Sequence, residues 1–539
     1  MTVASLAIEP LEKPPNATVV LPGSKSITNR ALVTAALAVG TTRLEAALFA
    51  DDTWAMIDCL NALGISCVPN ENDASITVHG CGANFTVPAT PTVPAVPDAP
   101  AAPAAPAVPD APAVPAAPAV PAVPDAPAVP GAPAVPATVP DAPSVPSAAP
   151  NLAVGRAAVP YAPTVPAAST GRAEPVSAAC VPTMSRPAAP PAAPPTAPVL
   201  NARRSGTTSR FLMALAALRE QPTVIDGDHQ LRARPMGHQI KALRELGVTV
   251  DEMEMPDRLP VRVHGPISAQ SCQIQGDVSS QFASGLLLAA GARRHHKLTV
   301  ELAAEPISWP YLKMTTEVMR AFAANVEISE PASNGTGRTI TVGGGYRSPS
   351  NYVIEADASA AAYFLAAAAI TGGRLRIAGL GRASIQGDVA FAEVLSQMGA
   401  SVKMQANSIE ICGGELRGVD VDLRDISDTA PTLAVVAAFA SGVTRVSGIG
   451  FVRHKESDRV AGSVAELRRC GVDATETADG FEVRPLGLPH AATFETYQDH
   501  RMAMAFALVG LRVAGVKVRD PGCVAKTFPG YFGALEQLR

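Results

Sequence analysis

Apolar positions along the chain follow two recurring patterns. In the first, a few small polar or charged residues run straight into an Ala/Leu-rich stretch. It occurs six times: GSKSITNRALVTAALA from 23, RSGTTSRFLMALAAL from 204, GDVSSQFASGLLLAAG from 276, ADASAAAYFLAAAAI from 356, SDTAPTLAVVAAFA from 427 and QDHRMAMAFALVGL from 498. Each predicts an N-cap followed by a buried helix, because Ser, Thr and Asp satisfy free amides and Ala and Leu carry high helix propensity. The second pattern is amphipathic and ends in Gly before a strand, as in LNALGISCV, ALRELGVTV, VLSQMGASV and ELRRCGVDA. Glycine there fits a left-handed C-cap. Together the two patterns define a repeated α/β module.

One region breaks this rhythm. Of the 51 prolines, 32 lie between 88 and 198, in text such as VPDAPAVPAAPAVPAVPDAPAVP. Proline at about every third position removes backbone donors and disfavours the helical conformation of its predecessor, so neither helix nor sheet can form. A solvated coil rich in polyproline II is expected. Taking Ser24, Ser205, Asp277, Asp357, Asp428 and Asp499 as equivalent positions, the module intervals are 181, 72, 80, 71 and 71 residues. With the 111 residues of 88 to 198 set aside, the first interval becomes 70. The tract is therefore an insertion into one module-to-module connection, and six modules divide naturally into two domains of three.

Composition narrows the function. The hydrophobic share of 47% supplies sizeable cores, and the net charge of −5 is spread without a basic block for nucleic acid or a membrane surface. Small-molecule partners are expected. Eight cysteines (59, 67, 81, 180, 272, 412, 470 and 523) show no CxxC or metal-ligand spacing, which fits free thiols in a reducing compartment. No signal-like start and no 18-residue apolar run is present, so a soluble cytoplasmic protein is expected.

Candidate chemistry gathers at the helix starts, where free amides and the dipole favour anions. A Ser at such a start is more often only a cap. Several starts also carry gripping side chains, however: Lys25, Ser26 and Arg30; Ser279, Ser280 and Gln281; His500 and Arg501. Loops add Arg234, Lys455, Glu456, Arg459 and Lys526. Each alone reads as solvated charge; together they imply a polyanionic ligand or two anionic ligands.

The segments LPGSKSITNRAL, SGTTSRFL, RPMGHQIKAL, GDVSSQF, ADASAAAYFLAAAAI, GRASIQGD, RHKESDR, YQDHRMAMAF and AKTFPGYF, in that order, resemble the 5-enolpyruvylshikimate-3-phosphate (EPSP) synthase family. The resemblance covers the chain outside 88 to 198. It implies an α/β fold of two similar domains, each of three βαβαββ-type units, 22–353 and 1–21 with 354–539, hinged so that helix starts close on the substrates. It also implies transfer of the carboxyvinyl group of phosphoenolpyruvate to the 5-hydroxyl of shikimate 3-phosphate, without metal or organic cofactor and in a monomer. Carried over by motif, Lys25, Asp428 and Glu456 would transfer protons, with either Lys25 or Glu456 serving the methylene carbon. Lys25, Ser26, Arg30, Ser279, Ser280, Gln281, Ser308, Tyr311, Asp428 and Lys455 would bind shikimate 3-phosphate. Lys25, Gly206, Arg234, Gln281, Arg459, Arg501 and Lys526 would bind phosphoenolpyruvate, and His500 would orient its neighbours. Arg203 and Arg204 stand where the family usually has Gly-Asn, and Phe451 where an Asn is common. A sister enzyme acting on a UDP-amino sugar typically opens with Asn-Lys-Asn and uses a loop cysteine, and neither feature is found here. A structural repeat protein would not need charged helix starts, and a degenerate carrier of the Pro/Ala tract would not keep the acids and bases intact.

Overall fold

The computed structural model describes residues 4–82, 197–276, 279–293, 295–304, 306–331 and 337–539. The expected coil at 88–198 lies outside the described residues except for its last two positions, as do Cys180 and Asp277. The described chain breaks off at Gly82, after strand Ser75–Cys81, and resumes just before strand Val199–Asn201 of a different sheet.

The module is clearest from Val199 onward: strand Val199–Asn201, helix Gly206–Ala216, strand Thr223–Asp226, helix Gly237–Glu245, then strands Thr249–Glu252 and Val261–His264. The first two strands pair in parallel, as a helical crossover requires, and the last pairs antiparallel with both the second and the third. Five four-stranded sheets share this order, and a sixth has three strands, Ser5–Ile8, Val516–Arg519 and Thr493–Phe494. These are βαβαββ units of the expected kind.

Helices Lys25–Leu37, Gly206–Ala216 and Ser280–Ala290 are buried on nearly all sides, which is why they read as unbroken Ala/Leu runs rather than stripes. Small residues let them approach: a Cβ on Gly285 would lie 2.8 Å from the Arg210 carbonyl oxygen of the neighbouring helix. One apolar core runs from Ile27 to Ile354. A second combines Ile8, Val19 and Leu21 with residues from Ala358 to Leu538, around helices Ala358–Thr371, Ala430–Ala437 and His500–Ala507.

Ser24, Ser205, Ser279, Asp357 and Asp499 cap their helices through the side chain. Asp428 does not. It lies in a single 3₁₀ turn, Ser427–Thr429, ahead of Ala430–Ala437, because three cations described below claim its carboxylate. The four predicted C-terminal glycines, Gly64, Gly247, Gly399 and Gly471, all have positive φ. Ala323 takes the same conformation after helix Trp309–Ala321, where no glycine marked it.

The chain passes between the cores twice. Strand Asn16–Val19 joins the second core by pairing with Arg374–Ala378, and strand Asn351–Val353 joins the first by pairing with Val39–Glu45. The crossing segments run side by side: Ser24 N donates to Glu355 O at 2.8 Å and Asp357 N to Pro22 O at 2.9 Å. A Cβ on Gly23 would come within 1.9 Å of Ala46 O, so the close approach needs glycine.

Candidate active site

A cavity of about 230 Å³ opens between the two cores. Of the residues expected from sequence, Lys25, Ser26, Arg30, Arg234, Ser279, Ser280, Gln281, Ser308, Tyr311, Asp428, Lys455, Glu456, Arg459 and Arg501 line it, together with His500. Gly206 and Lys526 stand just behind the lining. A Cβ on Gly206 would meet guanidinium nitrogens of Arg210 and Arg234 at 2.5 Å each. Lys526 Nζ reaches Asp52 at 2.6 Å and Glu456 at 3.7 Å, and donates to Arg204 O at 3.2 Å.

The first wall comes from the core of residues 27–354. Lys25 opens its helix with the backbone amide on Asp357 at 3.0 Å and its ammonium 3.4 Å from Asp52. One turn on, buried Arg30 donates to Thr315 Oγ1 at 2.7 Å and to Ser26 O at 2.9 Å, with Phe211 and Tyr311 against its guanidinium. Burial brings its pKa down to about 10. Arg210 donates to Gln281 at 2.6 Å, and burial followed by the charge of Arg234 brings it down to about 9. Gln281 in turn donates to Thr207 at 3.2 Å.

The second wall is a mesh of ion pairs. Asp428 meets Arg501 at 2.6 Å, Lys455 at 2.7 Å and Arg459 at 3.0 Å, and Tyr311 Oη donates to it at 3.4 Å. Burial works to raise its pKa, but those three cations outweigh burial and hold it well below the usual carboxylate range. Glu456 lies 2.8 Å from Arg459 and 3.1 Å from Arg234 of the opposite wall. The same contest, won by Arg234, Arg459 and Lys526, keeps it ionised. Arg459 also binds buried Asp499 at 2.8 Å. His500 is buried, mainly by desolvation held well below its usual pKa, and so neutral; neither ring nitrogen has a hydrogen-bond partner.

The unusual positions fall into place physically. Arg203 has φ +52° where a glycine would be at ease, and pairs at the surface with Asp58. Arg204 turns to Asp228 at 3.0 Å and contributes only its carbonyl to Lys526. Phe451 does line the cavity, with Lys455 Nζ 5.4 Å from its ring centroid.

Sequence reasoning missed Arg210, Asp52, Asp388 and the pairing role of Asp499. Arg210 sits in SGTTSRFL and Asp388 in GRASIQGD, both quoted motifs, but no local rule marks the first as facing the cleft or the second as lying behind it. The site can hold several anionic groups on lysines, arginines and hydroxyls while keeping two ionised carboxylates beside them.

A family model described as EPSP synthase (3-phosphoshikimate 1-carboxyvinyltransferase) matches residues 11–94 and 183–535. The 3-phosphoshikimate 1-carboxyvinyltransferase of Serratia proteamaculans is 33% identical over 99% of both chains. That of Thiobacillus denitrificans is 43% identical over 62% of this chain and 78% of its own. Among solved structures, an EPSP synthase from Acinetobacter baumannii superposes with TM-score 0.66 at 23% identity, covering 99% of this chain and 97% of that one. The enolpyruvyl transferase NikO from Streptomyces tendae superposes with TM-score 0.61 at 16% identity, covering 99% and 97%. These last two likenesses concern the fold.

Proposed function

This chain belongs to the EPSP synthase family and transfers the enolpyruvyl group of phosphoenolpyruvate to the 5-hydroxyl of shikimate 3-phosphate, releasing phosphate; we propose that it does so in the cavity described above, with Lys25, Asp428 and Glu456 moving the protons. The reaction lies on the shikimate pathway to aromatic amino acids. The observation that carries the residue assignment is the pair of ionised carboxylates, Asp428 and Glu456, held on either side of one guanidinium, Arg459, at 3.0 and 2.8 Å inside an anion-binding cavity.

In this reading Ser26, Arg30, Ser279, Ser280, Gln281, Ser308, Tyr311 and Lys455 hold shikimate 3-phosphate, with Lys25 and Asp428. Arg234, Arg459, Arg501 and Lys526, with Lys25, Gln281 and the Gly206 backbone, hold phosphoenolpyruvate. Asp428 takes the proton of the 5-hydroxyl as that oxygen bonds to C2 of phosphoenolpyruvate, and a proton is delivered to the methylene carbon, giving a tetrahedral intermediate. Elimination removes a proton from the new methyl group as the bond to phosphate breaks. Arriving phosphate and carboxylate groups compete with Glu456 for Arg234, Arg459 and Lys526. As those cations shift to substrate, Glu456 holds a proton more tightly, which couples its acid–base work to phosphoenolpyruvate binding.

The two apolar cores are read as two domains, 22–353 and 1–21 with 354–539, joined through the crossing segments. Both cavity walls come from one chain, which supports a monomer. The seven cysteines among the described residues are free thiols, which supports the cytoplasm. A coupled assay of phosphate release from phosphoenolpyruvate and shikimate 3-phosphate, run on the wild type and on Asp428→Ala, tests the assignment. Wild-type turnover in the variant would reject it.

A further inference from the structure

Behind Asp428, outside the cavity lining, lies a second carboxyl group that the reaction scheme above does not use. Asp388 sits in the 3₁₀ turn Gly387–Ala390 and is 3% exposed. Its Oδ2 accepts hydrogen bonds from Ser359 Oγ and, at 3.1 Å, from Tyr311 Oη; its Oδ1 has no partner. The Tyr311 hydroxyl therefore stands between two carboxyls, 3.1 Å from Asp388 and 3.4 Å from Asp428, with one proton to donate. A second link runs through Ser359, whose hydroxyl lies 3.4 Å from the same Arg501 nitrogen that meets Asp428 at 2.6 Å.

We propose that Asp388 is a positioning residue for the reaction: it competes with Asp428 for the Tyr311 hydroxyl and so sets how strongly Asp428 attracts the substrate's proton. The argument rests on Asp428 being the base for the 5-hydroxyl. When Asp388 is ionised, the Tyr311 proton points to it, and Asp428 loses a hydrogen bond and gains a like charge nearby; both raise its basicity. When Asp388 is protonated it donates to the Tyr311 oxygen, the hydroxyl turns to Asp428, and Asp428 becomes a weaker base. The ionisable groups acting on Asp388 are Tyr311, Asp357, Asp428 and Arg501, and the helix Phe391–Gln397 that follows it carries only Glu393, which is exposed. Burial first, then the charge of Asp428, pushes Asp388 up to about 6 against the pull of Ser359 and Arg501. The exchange therefore falls just below neutral pH.

The test is the pH dependence of kcat between pH 5 and 9. The wild type is expected to lose turnover through a break near pH 6. Asp388→Asn should lower kcat by about tenfold at pH 7.5, leave KM for shikimate 3-phosphate within about twofold, and abolish that break. In a Tyr311→Phe background the same substitution should lower kcat much less, because only the loss of the nearby charge remains. Ser359→Ala removes a hydrogen bond that favours ionised Asp388, so it should move the break to higher pH; it supplies the test even if Asp388→Asn does not fold. An Asp388→Asn enzyme with wild-type kcat and an unchanged acid limb, or a Ser359→Ala enzyme whose break stays put, overturns the proposal. Asp428→Ala, measured alongside, separates the two readings: if it retains turnover, the assignment of Asp428 fails; if it is inactive while the Asp388 variants match wild type, only the role of Asp388 fails.

Discussion

The two walls of the cleft treat buried arginines in opposite ways. In the first wall Arg30 and Arg210 donate to hydroxyls, a carbonyl and an amide rather than to carboxylates, and burial depresses both. In the second, Arg459 and Arg501 lie against carboxylates that outweigh burial and raise their proton affinity. The charge of Arg30 and Arg210 is thus unpaired and open to a ligand's anions, whereas that of Arg459 and Arg501 is already paired. What the second wall can vary is the proton affinity of Asp428 and Glu456. The unpaired arginines of the first wall suit binding and the paired carboxylates of the second suit proton movement, with Arg234 and Lys526 pairing across to Glu456 and Asp52.

The contrast makes its largest claim on the second wall. Asp428→Ala and Glu456→Ala should each lower kcat by about a hundredfold or more while Michaelis constants move much less. A variant whose loss lies wholly in KM would show that its carboxylate binds rather than transfers. The first wall should answer in the reverse sense. Arg210→Ala removes a charged donor from the lining, so the substrate Michaelis constants should rise by about tenfold to a hundredfold with kcat little changed. A fall in kcat alone would break the division between the walls.

Gly206 sharpens the comparison at the seam. A methyl group there would press on Arg210 and Arg234 together, at 2.5 Å each. The family's phosphoenolpyruvate-site inhibitor glyphosate should lose affinity in Gly206→Ala much more than phosphoenolpyruvate does. Equal responses in a titration of both enzymes would place the turn outside the site.

The smallest effect is on stability. Asp428, Glu456 and Asp52 have depressed pKa values in the folded state. Their contribution is fully present above the unfolded carboxylate range of about 4 and is lost as pH falls through the lower folded values. Asp388 has the opposite sign: the folded state holds its proton up to about 6, so stability rises as pH falls from neutral toward about 4. Denaturant midpoints at pH 7.5, 5 and 3 should therefore pass through a maximum near the middle value. A midpoint falling steadily from 7.5 would contradict the state of Asp388.

Much of this was legible in the sequence where the signal is local. Five caps, four left-handed glycines and the cleft residues of the helix starts all follow from short-range chemistry. Asp428, aligned by spacing with residues that cap their helices, does not cap its own: the partners that claim it, Lys455, Arg459 and Arg501, are distant in the chain. Arg210, Asp52 and Asp388 escaped notice for the same reason: their partners Gln281, Lys526 and Tyr311 are distant in the chain, and a charged side chain alone looks alike whether it meets water or a buried partner. Ala323 hid a left-handed helix end because a Cβ-bearing residue accepted a conformation that glycine usually advertises.

The double crossing also orders the events of synthesis. A chain emerging from its N-terminus presents strand Asn16–Val19 early, yet its partner Arg374–Ala378 arrives only after the whole first core has been made. The first core in turn stays open at one sheet edge until strand Asn351–Val353 appears. The N-terminal arm must therefore wait with an unpaired edge until the second half is made, whereas the first half can close its sheets as soon as its own last strand appears.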